Sequence, residues 1–260
     1  MPAAALNGDL PLDKWSVVAL QEDWIGRWNQ SAMFPSELAF FLSFCDHSGI
    51  KRIFESGRYE GYSTERLAAY AEREGADVYS VDLESRPDVA ERGRERLKRH
   101  PSVHLTKGDT FRVLGNIIQS HAGVPAALVV DGPKLFGAIS VLFAAAAFPS
   151  IRVVAMHNLD PRDHPETAAF FTQAAGRPRY YEDYATKPAG EFARLRAAEV
   201  EHLSPKAQRP LDHSSLAVMT LDDAARAKLL WTMDRRFGRH QPLILYWQWR
   251  LRHLLSGRPR

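Results

Sequence analysis

The stretch Glu55-Ser56-Gly57-Arg58-Tyr59-Glu60-Gly61-Tyr62-Ser63-Thr64 sets two glycines among two acids, two tyrosines and three serine or threonine hydroxyls. Gly57 and Gly61 would let the backbone approach a ligand closely, with the N-terminus of a following helix behind it. The spacing is G-x-x-x-G and not G-x-G-x-x-G, so the dinucleotide fingerprint is absent, and an ordinary tight turn also accounts for such a pair. Asp82 follows Gly57 by 25 residues and ends the run Val78–Asp82. A carboxylate there can accept both ribose hydroxyls of an adenosine ligand, or it can cap a helix. Gly108-Asp109 closes the next run. The Asp109 carboxylate suits an adenine amino group or the cap of a helix beginning near Thr110.

The elements that must position these residues recur with a regular beat. Short β-rich runs at Arg52–Glu55, Val78–Asp82, Val103–Thr106, Ala127–Asp131 and Ile151–Met156 begin at intervals of about 25 residues. Helix-like segments separate them, which is the mark of βαβ units and a parallel sheet. Ala127–Val130 and Val153–Met156 are apolar without alternation, as expected of strands covered on both faces. Ser36–His47 reads as a helix packed on the sheet, and Ser63–Glu74 as one opened by capping hydroxyls. Pro87–His100 reads as a charged surface helix and Leu135–Ala147 as a buried one. Arg179–Tyr184 and Ser215–Leu221 are expected as the last two strands. In such a sheet, ligands bind outside the carboxyl ends of the strands at the topological switch point.

ESGRYEGYST resembles the first motif of class I S-adenosylmethionine-dependent methyltransferases, specifically the catechol-type O-methyltransferases. VVDGPK resembles that family's stretch in which an aspartate binds a metal and a lysine acts as general base, here Asp131 and Lys134. The family's next metal-binding pair, Asp-Asn, stands here as His157-Asn158, 26 residues beyond Asp131. The resemblance covers Arg52–Asp160. It implies an α/β, Rossmann-like, doubly wound, mostly parallel seven-stranded sheet with helices on both faces, and O-methylation of a small-molecule or glycan hydroxyl. Glu55, Gly57, Tyr59, Gly61, Ser63, Asp82 and Asp109 would hold S-adenosylmethionine. Asp131, His157 and Asn158 would surround a divalent metal, with Lys134 or His157 as base.

The chemistry of these residue types agrees with that pattern. A methyl group on a sulfonium is already activated, so the protein must mainly position the acceptor and remove its proton. A divalent cation lowers a hydroxyl's pKa, and Asp131 and Asn158 are hard oxygen ligands suited to Mg²⁺ or Mn²⁺. His157 is the departure. An imidazole in place of a carboxylate favours Mn²⁺, Fe²⁺ or Zn²⁺, or else means that no metal binds and the histidine is the base. Asp160, Asp163 and His164 offer further ligands on what reads as a solvated loop. Two rival readings stay open: a non-catalytic binding or assembly module on the same fold, and a nicotinamide-dependent oxidoreductase, which the glycine spacing disfavours.

Composition narrows the setting. The single cysteine, Cys45, excludes an intrachain disulfide and lies in an apolar stretch where a buried thiol is expected. The N-terminal sequence has no signal-peptide pattern, and the uncharged run Leu135–Ile151 is short for a membrane span, so a cytoplasmic protein is expected. The net charge of +3 divides into +6 over Met233–Arg260, with seven arginines against Asp234, and −3 over the rest. A basic tail on an acidic domain argues against a nucleic-acid groove. The tail's Tyr246, Trp247 and Trp249 suit a peripheral membrane contact, or packing on the domain or a second subunit. Trp15, Trp24 and Trp28 suit a cover over the cleft or a homodimer contact. The expected organisation is a helical region to residue 50, a cofactor-binding domain over 51–222 and a basic aromatic extension over 223–260.

Overall fold

The β-rich runs become parallel strands whose alternate residues feed two separate cores. A computed structural model describes residues 10–30, 32–134, 136–158, 178–203 and 216–237. Among them, β1 is Arg52–Ser56, β2 Asp77–Asp82, β3 Val103–Lys107, β4 Ala126–Val130, β5 Ile151–His157, β6 Arg179–Tyr180 and β7 Leu216–Thr220. The helices are α1 Asp13–Gln21, α2 Pro35–His47, α3 Tyr62–Glu74, α4 Pro87–Leu97, α5 Thr110–Ser120, α6 Phe136–Ala146, α7 Tyr181–Ala185, α8 Gly190–Leu203 and α9 Asp223–Phe237.

The sheet runs β3-β2-β1-β4-β5-β7-β6, parallel throughout except for β7, which is antiparallel to both β5 and β6. This is the expected doubly wound, seven-stranded sheet. Ile53, Val78, Ala127, Val129, Val153 and Ala155 face α1, α2, α3 and α8. Phe54, Val81, Leu128, Val130, Val154 and Met156 face α5, α6 and α9. The period of two explains why both faces bury apolar side chains. Arg226 on α9 ties the second face together, its guanidinium donating to the carbonyls of Ala146, Phe148, Pro149 and Ile151 at 2.5–3.3 Å.

Several expectations need correction. The strand expected over Arg179–Tyr184 stops at Tyr180, and the chain turns into α7. That turn buries Tyr181, whose hydroxyl meets Ser36 Oγ at 2.5 Å, and sets the tilted ring of Tyr184 4.9 Å from Phe40. Packing on α2 here overrides the β-propensity of paired tyrosines. The hydroxyls of Ser63 and Thr64 do not cap α3: its N-cap is Gly61, at φ +77°. Ser63 Oγ instead accepts from the Met33 amide at 3.1 Å. The helix from Pro87 ends at Leu97, before His100. Trp15 and Trp24 form no exposed cover or dimer surface; both are fully buried in the first core, and Trp28 packs on Phe34 at 5.3 Å. Cys45 is buried, as expected. No helix among the described residues is long and apolar enough to cross a membrane. Asp160, Asp163, His164 and the tail aromatics lie outside the described residues.

Candidate active site

Strand register sets the site. Ser56 pairs with Val81 on one side and Val130 on the other, and Val130 pairs with Met156. The next residue on each strand is therefore Gly57, Asp82, Asp131 and His157, a single row across the carboxyl edge of the sheet. The chain winds outward to β2 and β3 on one side and to β4 and β5 on the other, so the switch point falls between β1 and β4.

Gly57 makes the row close at its centre. Its φ is +90°, and a Cβ there would lie 2.5 Å from the Gly132 amide nitrogen. Only glycine adopts that conformation cheaply while admitting such an approach. Ser56 then accepts from the amides of both Asp131 and Gly132, at 2.8 and 2.9 Å. Gly61 serves a different contact, since a Cβ on it would meet Leu97 of α4 at 2.9 Å. Among the described residues, three of the four non-glycine residues with positive φ, Tyr59, Glu84 and Asn158, stand on this edge, the fourth being Asp23. Left-handed backbone costs roughly 1–3 kcal/mol per residue, and it concentrates where function demands a shape.

On the β1–β2 side, Asp82 holds the turn. Its Oδ2 accepts from the amides of Arg58 and Tyr59 at 2.8 and 3.0 Å, and Oδ1 from Glu84 at 2.6 Å. The Arg58 guanidinium, fully buried, pairs with Glu84 at 2.6 Å and donates to the Ser80 carbonyl at 3.1 Å. Tyr59 projects outward, its hydroxyl accepting from Arg86 at 3.2 Å. Asp109 caps α5, accepting from the Phe111 amide at 3.0 Å. Beneath the turn, Glu55 accepts from Thr64 Oγ1 and Ser80 Oγ at 2.7 and 2.5 Å, while its buried Oε1 has no hydrogen-bond partner. Burial pushes the Glu55 pKa up to about 7; the bonds from Ser80 and Thr64 and the charge of Arg58 oppose the rise, and Asp131 adds to it.

On the β4–β5 side, Asp131 Oδ1 meets Lys134 Nζ at 2.5 Å and His157 Nδ1 at 2.6 Å. Lys134 Nζ also donates to Asn158 Oδ1. His157 Nε2 lies 3.5 Å from Oε2 of Glu37, a fully buried residue in the first turn of α2. Burial would raise the Asp131 pKa, but Lys134 and His157 outweigh it and hold the carboxylate well below its usual range. Burial would lower the His157 pKa, but Asp131 and Glu37 outweigh it and raise it. The same Glu37 oxygen accepts from the Phe34 amide at 2.8 Å, and Ser36 is anchored on Glu199 of α8 at 2.6 Å, which fixes the start of α2 against that helix.

A divalent metal does not fit this donor set. Both His157 nitrogens face carboxylates, and one ammonium takes the oxygens of Asp131 and Asn158 together. Among the described residues, no group of three or more His, Cys, Asp or Glu side chains could hold a metal ion.

The structure thus gathers Gly57, Tyr59 and Asp82 at one corner, with Glu55 below, and Asp131, Lys134, His157 and Asn158 at the other. Ser63 and Gly61 turn to Met33 and α4. Sequence reasoning missed Glu37, Arg58 and Glu84. For Glu37 the one signal was its place three residues after a helix N-cap and before an apolar run, which speaks for capping alone.

No family model and no curated protein matches this chain. Among solved structures it is similar to an O-methyltransferase from Bacillus cereus in complex with S-adenosylhomocysteine, at 14% identity over 84% of this chain and 94% of that one, with TM-score 0.45. It is similar also to an O-methyltransferase of tomaymycin synthesis from Streptomyces achromogenes in complex with S-adenosylmethionine, at 14% identity, 84% and 92% coverage and TM-score 0.46. A methyltransferase from Podospora anserina with bound S-adenosylhomocysteine follows at 14% identity, 80% and 88% coverage and TM-score 0.44.

Proposed function

We propose that this chain is an S-adenosylmethionine-dependent O-methyltransferase whose acceptor is an acidic hydroxyl, such as a phenol, on a small molecule. The observation that carries the reading is the row Gly57, Asp82, Asp131 and His157, level across the switch point of a doubly wound sheet. Ligands of such sheets lie there.

The residues fit the cofactor. Glu55 leaves a buried oxygen without a partner beneath the turn, and Asp82 and Asp131 flank it on the neighbouring strands. That open acceptor suits a ligand that brings a hydrogen-bond donor or a positive end to the turn. When bound, S-adenosylmethionine supplies a sulfonium-activated methyl group. Asp82, whose Oδ1 holds a single amide, would accept a ribose hydroxyl there, and Asp109 would stand at the adenine end. Residues 51–222 form the cofactor-binding unit, braced by the helices before residue 50.

Acceptor chemistry falls to the other corner. His157, buried between two carboxylates, is poorly placed to remove a proton. Lys134 is half-exposed and has three N–H donors, two of them engaged by Asp131 and Asn158. Its third can hold the acceptor oxygen. The hydroxyl proton leaves to water at the open rim, and the ammonium stabilises the resulting oxyanion. S-adenosylmethionine, held by Asp82 and the Gly57 turn, would supply the methyl group to that oxygen and would leave as the neutral thioether. A phenol, whose pKa lies near that of tyrosine, can follow this route without a strong base.

One observation favours a second reading, that of a non-catalytic binding module: Asp82 is already engaged by three backbone amides. Calorimetry separates the readings. Saturable S-adenosylhomocysteine binding, with none of NADH or NADPH, upholds the transferase. No nucleotide binding at all would leave the module.

A further inference from the structure

We infer that the Lys134 ammonium stands in the cation position of the acceptor site, a built-in charge doing the work that a divalent metal would do between Asp131 and Asn158. The inference rests on the transferase reading for its purpose and on the geometry alone for its substance.

The two hard oxygen donors of the site converge on one nitrogen: Lys134 Nζ meets Asp131 Oδ1 at 2.5 Å and donates to Asn158 Oδ1. A metal would need those same oxygens. The third candidate ligand is withdrawn. An imidazole binds metal through a ring nitrogen lone pair, yet His157 Nδ1 lies 2.6 Å from Asp131 and Nε2 lies 3.5 Å from Glu37. Glu37 therefore acts as a positioning residue that holds the imidazole between two carboxylates, with both ring nitrogens occupied. Charge tells the same story, because Asp131 already faces one ammonium and one imidazole. A further cation would displace partners instead of filling a deficit of charge. Lys134 reaches this position from the turn after β4, and its half-exposed side chain leaves the ammonium open on the acceptor side.

The test reads metal uptake on the full chain, with Mn²⁺ as the probe and free Mn²⁺ followed by paramagnetic resonance. The parent should show no saturable uptake in the millimolar range. Lys134→Met/His157→Asp, which removes the ammonium and supplies a second carboxylate, should take one equivalent at least about tenfold more tightly than the parent. Adding Asp131→Asn should abolish that uptake. One equivalent bound by the parent and lost in Asp131→Asn alone overturns the inference. So does a double variant, folded by circular dichroism, that binds no better than the parent. Lys134→Met alone gives a milder version should the double variant not fold. Cofactor binding is measured separately on the parent: no S-adenosylhomocysteine binding there, with the metal result intact, would sink the transferase reading and leave this assignment standing.

Discussion

Glu55→Gln isolates the buried carboxylate beneath the turn. The folded-state pKa of Glu55 is about 7 against an ordinary 4.5. A raised carboxylate pKa means that folding favours the neutral acid. Its stabilising contribution is fully present below pH 4.5 and is lost as pH rises through about 7. A displacement of about 2.5 pH units at 1.36 kcal/mol each makes the loss about 3 kcal/mol above pH 8. Glutamine has no proton to lose, keeps an oxygen to accept from Thr64 and Ser80, and resembles the protonated acid at the other atom. Parent and variant should therefore differ by less than about 1 kcal/mol near pH 5. At pH 8.5 the variant should be more stable by about 3 kcal/mol, roughly 6–10 °C in melting temperature for a chain of this size. The assay is a pair of urea or thermal melts across pH 5 to 8.5 without cofactor, read as the difference between the two proteins so that other titrating groups cancel. Parallel profiles, or a variant weaker at every pH, would refute the proposed burial of the charge.

Three other substitutions test the frame. Gly57→Ala forces a side chain into left-handed backbone and against the Gly132 amide, and should cost about 2–3 kcal/mol in chemical denaturation, whereas a neutral result would contradict the close approach of β1 and β4. Glu84→Ala leaves the Arg58 guanidinium buried without its partner and should cost about 3 kcal/mol or more; a surface-like loss of a few tenths would show that Arg58 reaches water. Arg226→Ala orphans a set of carbonyls at the end of α6 and should cost about 2–4 kcal/mol, with faster amide exchange in α9 as the accompanying sign.

Much of this site was readable before any coordinates. Ala127–Val130 and Val153–Met156 are apolar at every position, which a strand buried on both faces requires, and that fixes the row in which Asp131 and His157 stand. Asp82 and Gly57 are likewise positioned by the ends of their strands. What stayed hidden depends on tertiary approach. Glu37 reads as a helix cap because nothing local announces that α2 will present it to the far end of β5. Ser63 and Thr64 look like caps, yet Gly61 takes that role because only it tolerates the turn beside Leu97, and the hydroxyls are freed to serve Met33 and Glu55. Arg58 sits between two ligand-loop candidates, and nothing local marks it for burial; its partner Glu84 stands in left-handed backbone after β2.

The most direct measurement is a crystal structure of the full chain grown with saturating S-adenosylhomocysteine. The expected result places a ribose hydroxyl within hydrogen-bond distance of the Asp82 carboxylate and turns the sulfur towards the corner of Asp131 and Lys134, across the contact between Gly57 and Gly132. A ligand bound elsewhere on the protein, or a crevice between β1 and β4 that stays empty at saturation, would contradict the assignment of this edge as a methyl-transfer site.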